Sequence, residues 1–172
     1  MTAPASEVVA LAMLVAALLG AAVSDIRRYL IPNRYPAAIV LAFFIYAMSQ
    51  PLDQTLWGLA AGAAAFVVCA ILFAAGIIGG GDAKLLAATM LWAGLSLAPL
   101  FLMCTVLAGG LLALAWLTPF RRLMPAAPEA AQPPAKADPA RSGLRSRFHQ
   151  PTPYGAAIAA GGFYVVALRA FS

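Results

Sequence analysis

Two aspartates stand out in a chain with very few ionisable side chains. Asp25 closes an apolar run, in Ser24-Asp25-Ile26-Arg27-Arg28-Tyr29-Leu30-Ile31-Pro32-Asn33. Asp82 opens another, in Gly79-Gly80-Gly81-Asp82-Ala83-Lys84-Leu85. Two carboxylates suffice for peptide hydrolysis. When close together they cannot both ionise, so they share a proton. The ionised member takes a proton from water, the water attacks the scissile carbonyl, and the protonated member donates to the carbonyl oxygen. Each aspartate also has an ordinary reading. Asp25 could be an interfacial acid paired with Arg27 or Arg28. Asp82 could be an N-cap for a helix beginning just after it, with the glycines ending the previous segment. Three consecutive glycines nevertheless exceed what a cap requires. They bare the backbone beside the acid, so that another chain can approach it closely.

Elimination points to the same pair. The chain has six acidic residues. Glu7 and Asp53 fall on the opposite side of the topology drawn below, and Glu129 and Asp138 lie in a proline-rich stretch. No HExxH motif occurs, and Cys69 and Cys104 form no CxxC pair but sit inside apolar runs, where they read as small hydrophobes. The single histidine, His149, has no partner histidine or cysteine nearby, and no Ser-His pair lies within the membrane segments. Neither a metal nor a cofactor is expected. If the chain is a hydrolase, Asp25 and Asp82 are its catalytic candidates.

The elements that would hold these acids follow from composition. The chain has 172 residues, is 63% hydrophobic and only 10% charged, with a mean hydropathy of +0.89. So few charges cannot cover a water-facing surface, and lipid is the implied solvent. Long unalternating apolar runs exclude barrel strands and leave helices. The expected fold is an all-α integral membrane protein, one domain over 1–172, bundling about six transmembrane helices. The apolar segments fall at about 7–24, 36–49, 54–78, 83–97, 98–117 and 154–171. The run Gly20-Ala21-Ala22-Val23-Ser24 resembles a signal-peptidase site, but Glu7 rather than a basic residue precedes the segment, so 7–24 reads as a retained helix. The pair Gly58 and Gly62 predicts close helix packing in lipid.

If all six segments cross, Arg27, Arg28, Arg34, Lys84, Arg121, Arg122, Lys136, Arg141, Arg145 and Arg147 share one side, and only Arg169 falls opposite. That asymmetry puts the basic loops, and both aspartates, at the cytoplasmic face. The net charge of +5 therefore reads as topology and lipid contact, not nucleic-acid binding. Residues 119–152, with seven prolines among alanines and charges, read as a flexible cytoplasmic loop.

These residues resemble a known family. Gly79-x-Gly81-Asp82 with Lys84 and Leu85 is similar to the GxGD signature of type IV prepilin peptidases. Asp25 followed by Ile31-Pro32-Asn33 resembles that family's other motif, and Pro153-Tyr154-Gly155-Ala156-Ala157-Ile158-Ala159 resembles its final helix. The resemblance implies a multi-pass enzyme of the bacterial inner membrane. It would cut the short basic leader from prepilin or pseudopilin precursors at the cytoplasmic side, with Asp25 and Asp82 as the catalytic pair. Family substrates carry a glycine before the cut and usually a glutamate shortly after it. Lys84 is placed to hold that acid or tune Asp82, or simply to snorkel to the interface. Pro32 and Asn33 shape the turn into the second segment, and Gly79 and Gly81 bare the backbone at the acid. Long members carry an extra cytoplasmic domain, often with paired CxxC motifs, and also methylate the product. This chain lacks CxxC and has about nine residues between Asp25 and its second segment, so methyltransferase activity is not expected. The short form is similar to the enzymes of tight-adherence (Flp-type) pilus systems. The reading from another class is a small proton- or ion-coupled transporter, which would also place paired carboxylates in a membrane.

Overall fold

The computed structural model describes residues 4–117 and 154–171. The whole 119–152 stretch, with His149, Glu129 and Asp138, lies outside the described residues. Among those described, the fold is all-helical: α1 (Ala5–Arg28), α2 (Arg34–Ala47), α3 (Leu52–Ala74), α4 (Gly80–Leu117) and α5 (Tyr154–Phe171). α1, α3 and α4 are long and apolar enough to cross a membrane, whereas α2 and α5 are shorter apolar helices. Large apolar side chains such as Val67, Ile71, Val106 and Leu111 stay exposed. They would be a liability in water but form an outer surface suited to lipid.

The six expected segments appear as five helices, because the fourth and fifth run together. α4 is not one straight rod. Gly94 has φ 59° and ψ −171°, a conformation available essentially to glycine alone. The neighbours of α5 show what this residue does. Gly162 of α5 lies against Thr89, and Arg169 bonds to the Trp92 carbonyl at 3.3 Å, so α5 runs in the same direction as residues 80–93. Gly161 lies against Thr105 and Phe101, and Tyr154 against Gly109, so α5 runs opposite to residues 95–117. The two limbs of α4 are therefore antiparallel, and Gly94 is the reversal between them. The boundary expected between 97 and 98 falls at Gly94 instead.

The third segment was expected to reach residue 78, with the triple glycine as a possible stop. It ends at Ala74, through Gly76 (φ 70°). The Ile77 N–H donates to the Leu72 carbonyl and the Gly76 N–H to that of Phe73, both at 2.9 Å, which is a Schellman cap. The later glycines are thereby released for other work. Gly58 and Gly62 behave as expected. A Cβ on Gly58 would stand 2.8 Å from the Leu91 carbonyl oxygen, and one on Gly62 would collide with the Leu91 side chain, so α3 lies directly on the first limb of α4.

The core centres on Trp92, 1% exposed. Its indole N–H donates to the Ile39 carbonyl at 3.1 Å, and its ring meets Phe43 edge-on at 6.0 Å and Tyr46 at 5.0 Å. These contacts lock α2 to α4 and fix how their opposite ends, which carry the candidate site, face each other.

Candidate active site

Asp25 sits in the last turn of α1, three residues before its end, and is only 5% exposed. The helix stops just beyond it at Tyr29, which adopts a left-handed conformation (φ 52°) and donates its N–H to the Asp25 carbonyl at 2.8 Å. A buried carboxylate needs donors. Asp25 finds one in α5: the Gly155 N–H donates to its Oδ2 at 2.7 Å. The first N–H groups of a helix have no partner within it and carry the positive end of the dipole, so the start of α5 is a natural seat for an anion. The ion-pair reading of Asp25 does not hold: the acid is turned inward while Arg27 and Arg28 are exposed.

Asp82 lies in the first turn of α4 and is half-buried. It is not the helix cap. The helix already begins at Gly80, and the Ala83 N–H donates to the Gly79 carbonyl at 2.9 Å. Its carboxylate leans back over Gly79, where a Cβ would stand 2.9 Å from Oδ2. The other two glycines have separate neighbours. A Cβ on Gly80 would stand 3.1 Å from Phe73, and one on Gly81 would stand 3.1 Å from the Ile31 Cβ. Much of the bare backbone expected for an incoming chain is thus used by the protein's own α3 and by the connection between α1 and α2.

That connection, residues 29–33, ties the two acids together. Ser24 donates from Oγ to the Leu30 carbonyl at 2.8 Å, folding the turn back on α1. Ile31, 8% exposed, then wedges between Gly81 at the start of α4 and Gly155 at the start of α5, its Cδ1 only 2.6 Å from where a Gly155 Cβ would be. Asp25 and Asp82 flank this wedge, Asp25 on its Gly155 side and Asp82 one residue beyond Gly81. Pro32 is half-buried and Asn33 exposed. Their carbonyls accept the Tyr35 and Ala37 N–H groups at 3.1 and 3.0 Å, so both shape the entry into α2, as expected. Asn33 also reaches Lys84, whose Nζ donates to its Oδ1 at 3.0 Å. All seven residues singled out in the sequence thus gather at one end of the bundle. The residues missed as site components are Ile31 and Gly155. Both lie inside motif-like stretches, and Gly155 is marked only as a glycine at the start of an apolar run.

Among the described residues no cluster of histidine, cysteine and acidic side chains could hold a metal ion. Comparison with protein-family models matches residues 12–114 to the type IV leader peptidase family, a range that includes both aspartates and stops short of α5. No curated protein and no solved structure gives a significant match. The match covers more than half the sequence and agrees with an apolar helical bundle that brings two aspartates to one end, so the chain belongs to the type IV leader peptidase family.

Proposed function

We propose that this leader-peptidase-type membrane protein is an aspartic endopeptidase that removes the short basic leader of prepilin-like precursors. Asp25 and Asp82 would be its catalytic pair, working at the cytoplasmic face of the bacterial inner membrane. One observation supports the reading: Ile31 packs between Gly81, next to Asp82, and Gly155, which donates to Asp25, so the last turn of α1 and the first turn of α4 carry the two acids to the same end of the bundle. One carboxylate accepts the proton of the attacking water while the other donates to the carbonyl oxygen of the scissile peptide. Gly155 holds Asp25 from behind, and the Lys84–Asn33 pair stands two residues beyond Asp82.

The orientation follows from traverse and charge. With α4 counted as two limbs the chain crosses six times. Arg27, Arg28, Arg34 and Lys84 cluster at the aspartate end and Arg169 at the other, which supports a cytoplasmic site. Residues 29–33, between α1 and α2, leave no room there for the extra domain of methylating relatives. This supports a short, Flp-type enzyme that cleaves without methylating. A transporter would need its carboxylates along a path through the bundle, whereas both lie at one end.

The test is co-expression with a candidate precursor carrying a basic leader and an apolar helix. Asp25→Asn and Asp82→Asn should each lower leader removal by at least about 100-fold, while both variants accumulate in the membrane like the parent. Wild-type processing by either variant would refute the shared pair.

A further inference from the structure

α2 and α3 follow each other in sequence and are joined only by residues 48–51. They meet near that turn, where a Cβ on Gly58 would stand 2.8 Å from the Phe43 ring. Toward the aspartate end they splay, and each packs on α4 instead. The space between them is a cleft of about 320 Å³, with Val40 and Phe66 on its sides and Asn33 and Lys84 at its mouth. From Lys84 to Leu91, which also lines it, the first limb of α4 rises roughly 10 Å. Two residues along a helix turn a side chain by about 200°, so Lys84 leaves α4 on the face away from Asp82. Neither aspartate lines the cleft. It is a second site, at the same end of the bundle as the acids but separate from them.

We propose that this cleft binds one anionic phospholipid of the surrounding leaflet, with an acyl chain between α2 and α3 and the phosphate on Lys84. The site goes beyond the peptidase reading and does not depend on it. Apart from Asn33 and Lys84 the lining is apolar, and Phe66 is 57% exposed, so the cleft is open along its side to lipid. An empty gap there would forfeit dispersion contacts, and a hydrocarbon chain restores them with no polar group to satisfy. Charge then selects the headgroup. Lys84 is exposed, and its ammonium has three donors. One goes to Asn33 Oδ1 at 3.0 Å, a neutral acceptor, and no acid lines the cleft. α2 and α4 both begin at this end, so both turn their positive dipole ends toward the mouth. An anionic headgroup supplies the counter-charge, whereas a zwitterionic one brings a cation of its own to the same place. Arg27, Arg28 and Arg34, all exposed at this end, draw anionic lipid to the neighbourhood.

Photocrosslinking in membranes of known composition tests this. Full-length protein carries a photoreactive phenylalanine analogue in place of Phe66, in vesicles of equal phosphatidylglycerol and phosphatidylcholine with matched chains. A control carries the analogue at Val106, which is 71% exposed on the second limb of α4. The ratio of phosphatidylglycerol to phosphatidylcholine adducts from position 66 should exceed that from position 106 by about fivefold, the order expected of one lysine acting on anionic lipid. Lys84→Gln should bring the two positions to the same ratio, and Lys84→Arg should keep them apart. Equal ratios at the two positions with Lys84 intact would overturn the proposal. So would selectivity that survives Lys84→Gln or is lost in Lys84→Arg, or protein adducts in place of lipid ones at position 66.

Discussion

Asp25 shows how few atoms the site depends on. Its Oδ2 accepts the Gly155 N–H at 2.7 Å, while a Cβ on Gly155 would press on that same oxygen at 2.8 Å and on Ile31 Cδ1 at 2.6 Å. Gly155→Ala should therefore displace the carboxylate and lower the rate of leader removal by about 100-fold, the order expected for a misplacement near 1 Å, with the protein still accumulating in the membrane. Ile31→Val removes Cδ1 and so relieves only one of the two collisions. If Gly155 acts through Asp25, the loss caused by Gly155→Ala persists in an Ile31→Val background. Recovery there to the Ile31→Val rate would show that the glycine merely makes room for Ile31. At this scale the two aspartates are legible in sequence, because an acid beside an apolar run is costly and conspicuous. Gly155 is not legible as a partner, since 130 residues separate it from Asp25 and only the folded bundle brings them together.

Helices are where sequence and structure differ most. The run around Gly94 is apolar on both sides, so nothing in hydropathy marks a reversal, and the expected boundary drifts to 97 and 98, near Pro99. The evidence is in backbone angles. Gly94→Ala meets open space, its nearest neighbour being an Arg169 nitrogen at 3.9 Å, so the cost is conformational. Thermal unfolding in detergent should show a loss of about 1–3 kcal/mol. Gly110→Ala, on the second limb with nothing within 4 Å, should instead hold or gain up to about 1 kcal/mol from helix propensity. A variant pair that moved together would argue against a special conformation at Gly94. The stop of α3 was misread for a related reason: several nearby glycines could have supplied the cap, and only the hydrogen bonds at Gly76 identify which does. Gly58 and Gly62 were legible because their spacing alone puts them on one helix face.

For the molecule as a whole, one end holds both aspartates, the start of α2, the end of α3 and the start of α5. The other holds residues 48–51, Gly94 and Arg169. If the aspartate end is cytoplasmic, Arg28→Cys should resist an impermeant thiol reagent in intact cells and react once they are opened. Ser49→Cys, exposed at the far turn, should react in both. Labelling in the reverse order would invert the orientation and remove the basis for a cytoplasmic cut. Neither native cysteine should confuse the readout, since Cys69 is buried and Cys104 half-buried within apolar helices. Composition revealed the lipid-facing class, and charge is the basis of the proposed side. The way α2 and α3 splay from the contact of Phe43 with Gly58 is hidden, because periodicity reports which residues are apolar and not how two helices are angled.

The reversal at Gly94 also bears on how the chain is made. Residues 80–93 rise only about 21 Å as a helix, short of the roughly 30 Å of hydrocarbon, and no hydrophilic loop separates them from the limb that follows. During synthesis such a segment is a poor candidate for stable insertion on its own and enters best as a hairpin with residues 95–117. A topology reporter fused just behind Ser96 would then record the fate of an orphaned half-hairpin. The same reporter inserted within the full-length chain would record the finished protein, and the two should disagree.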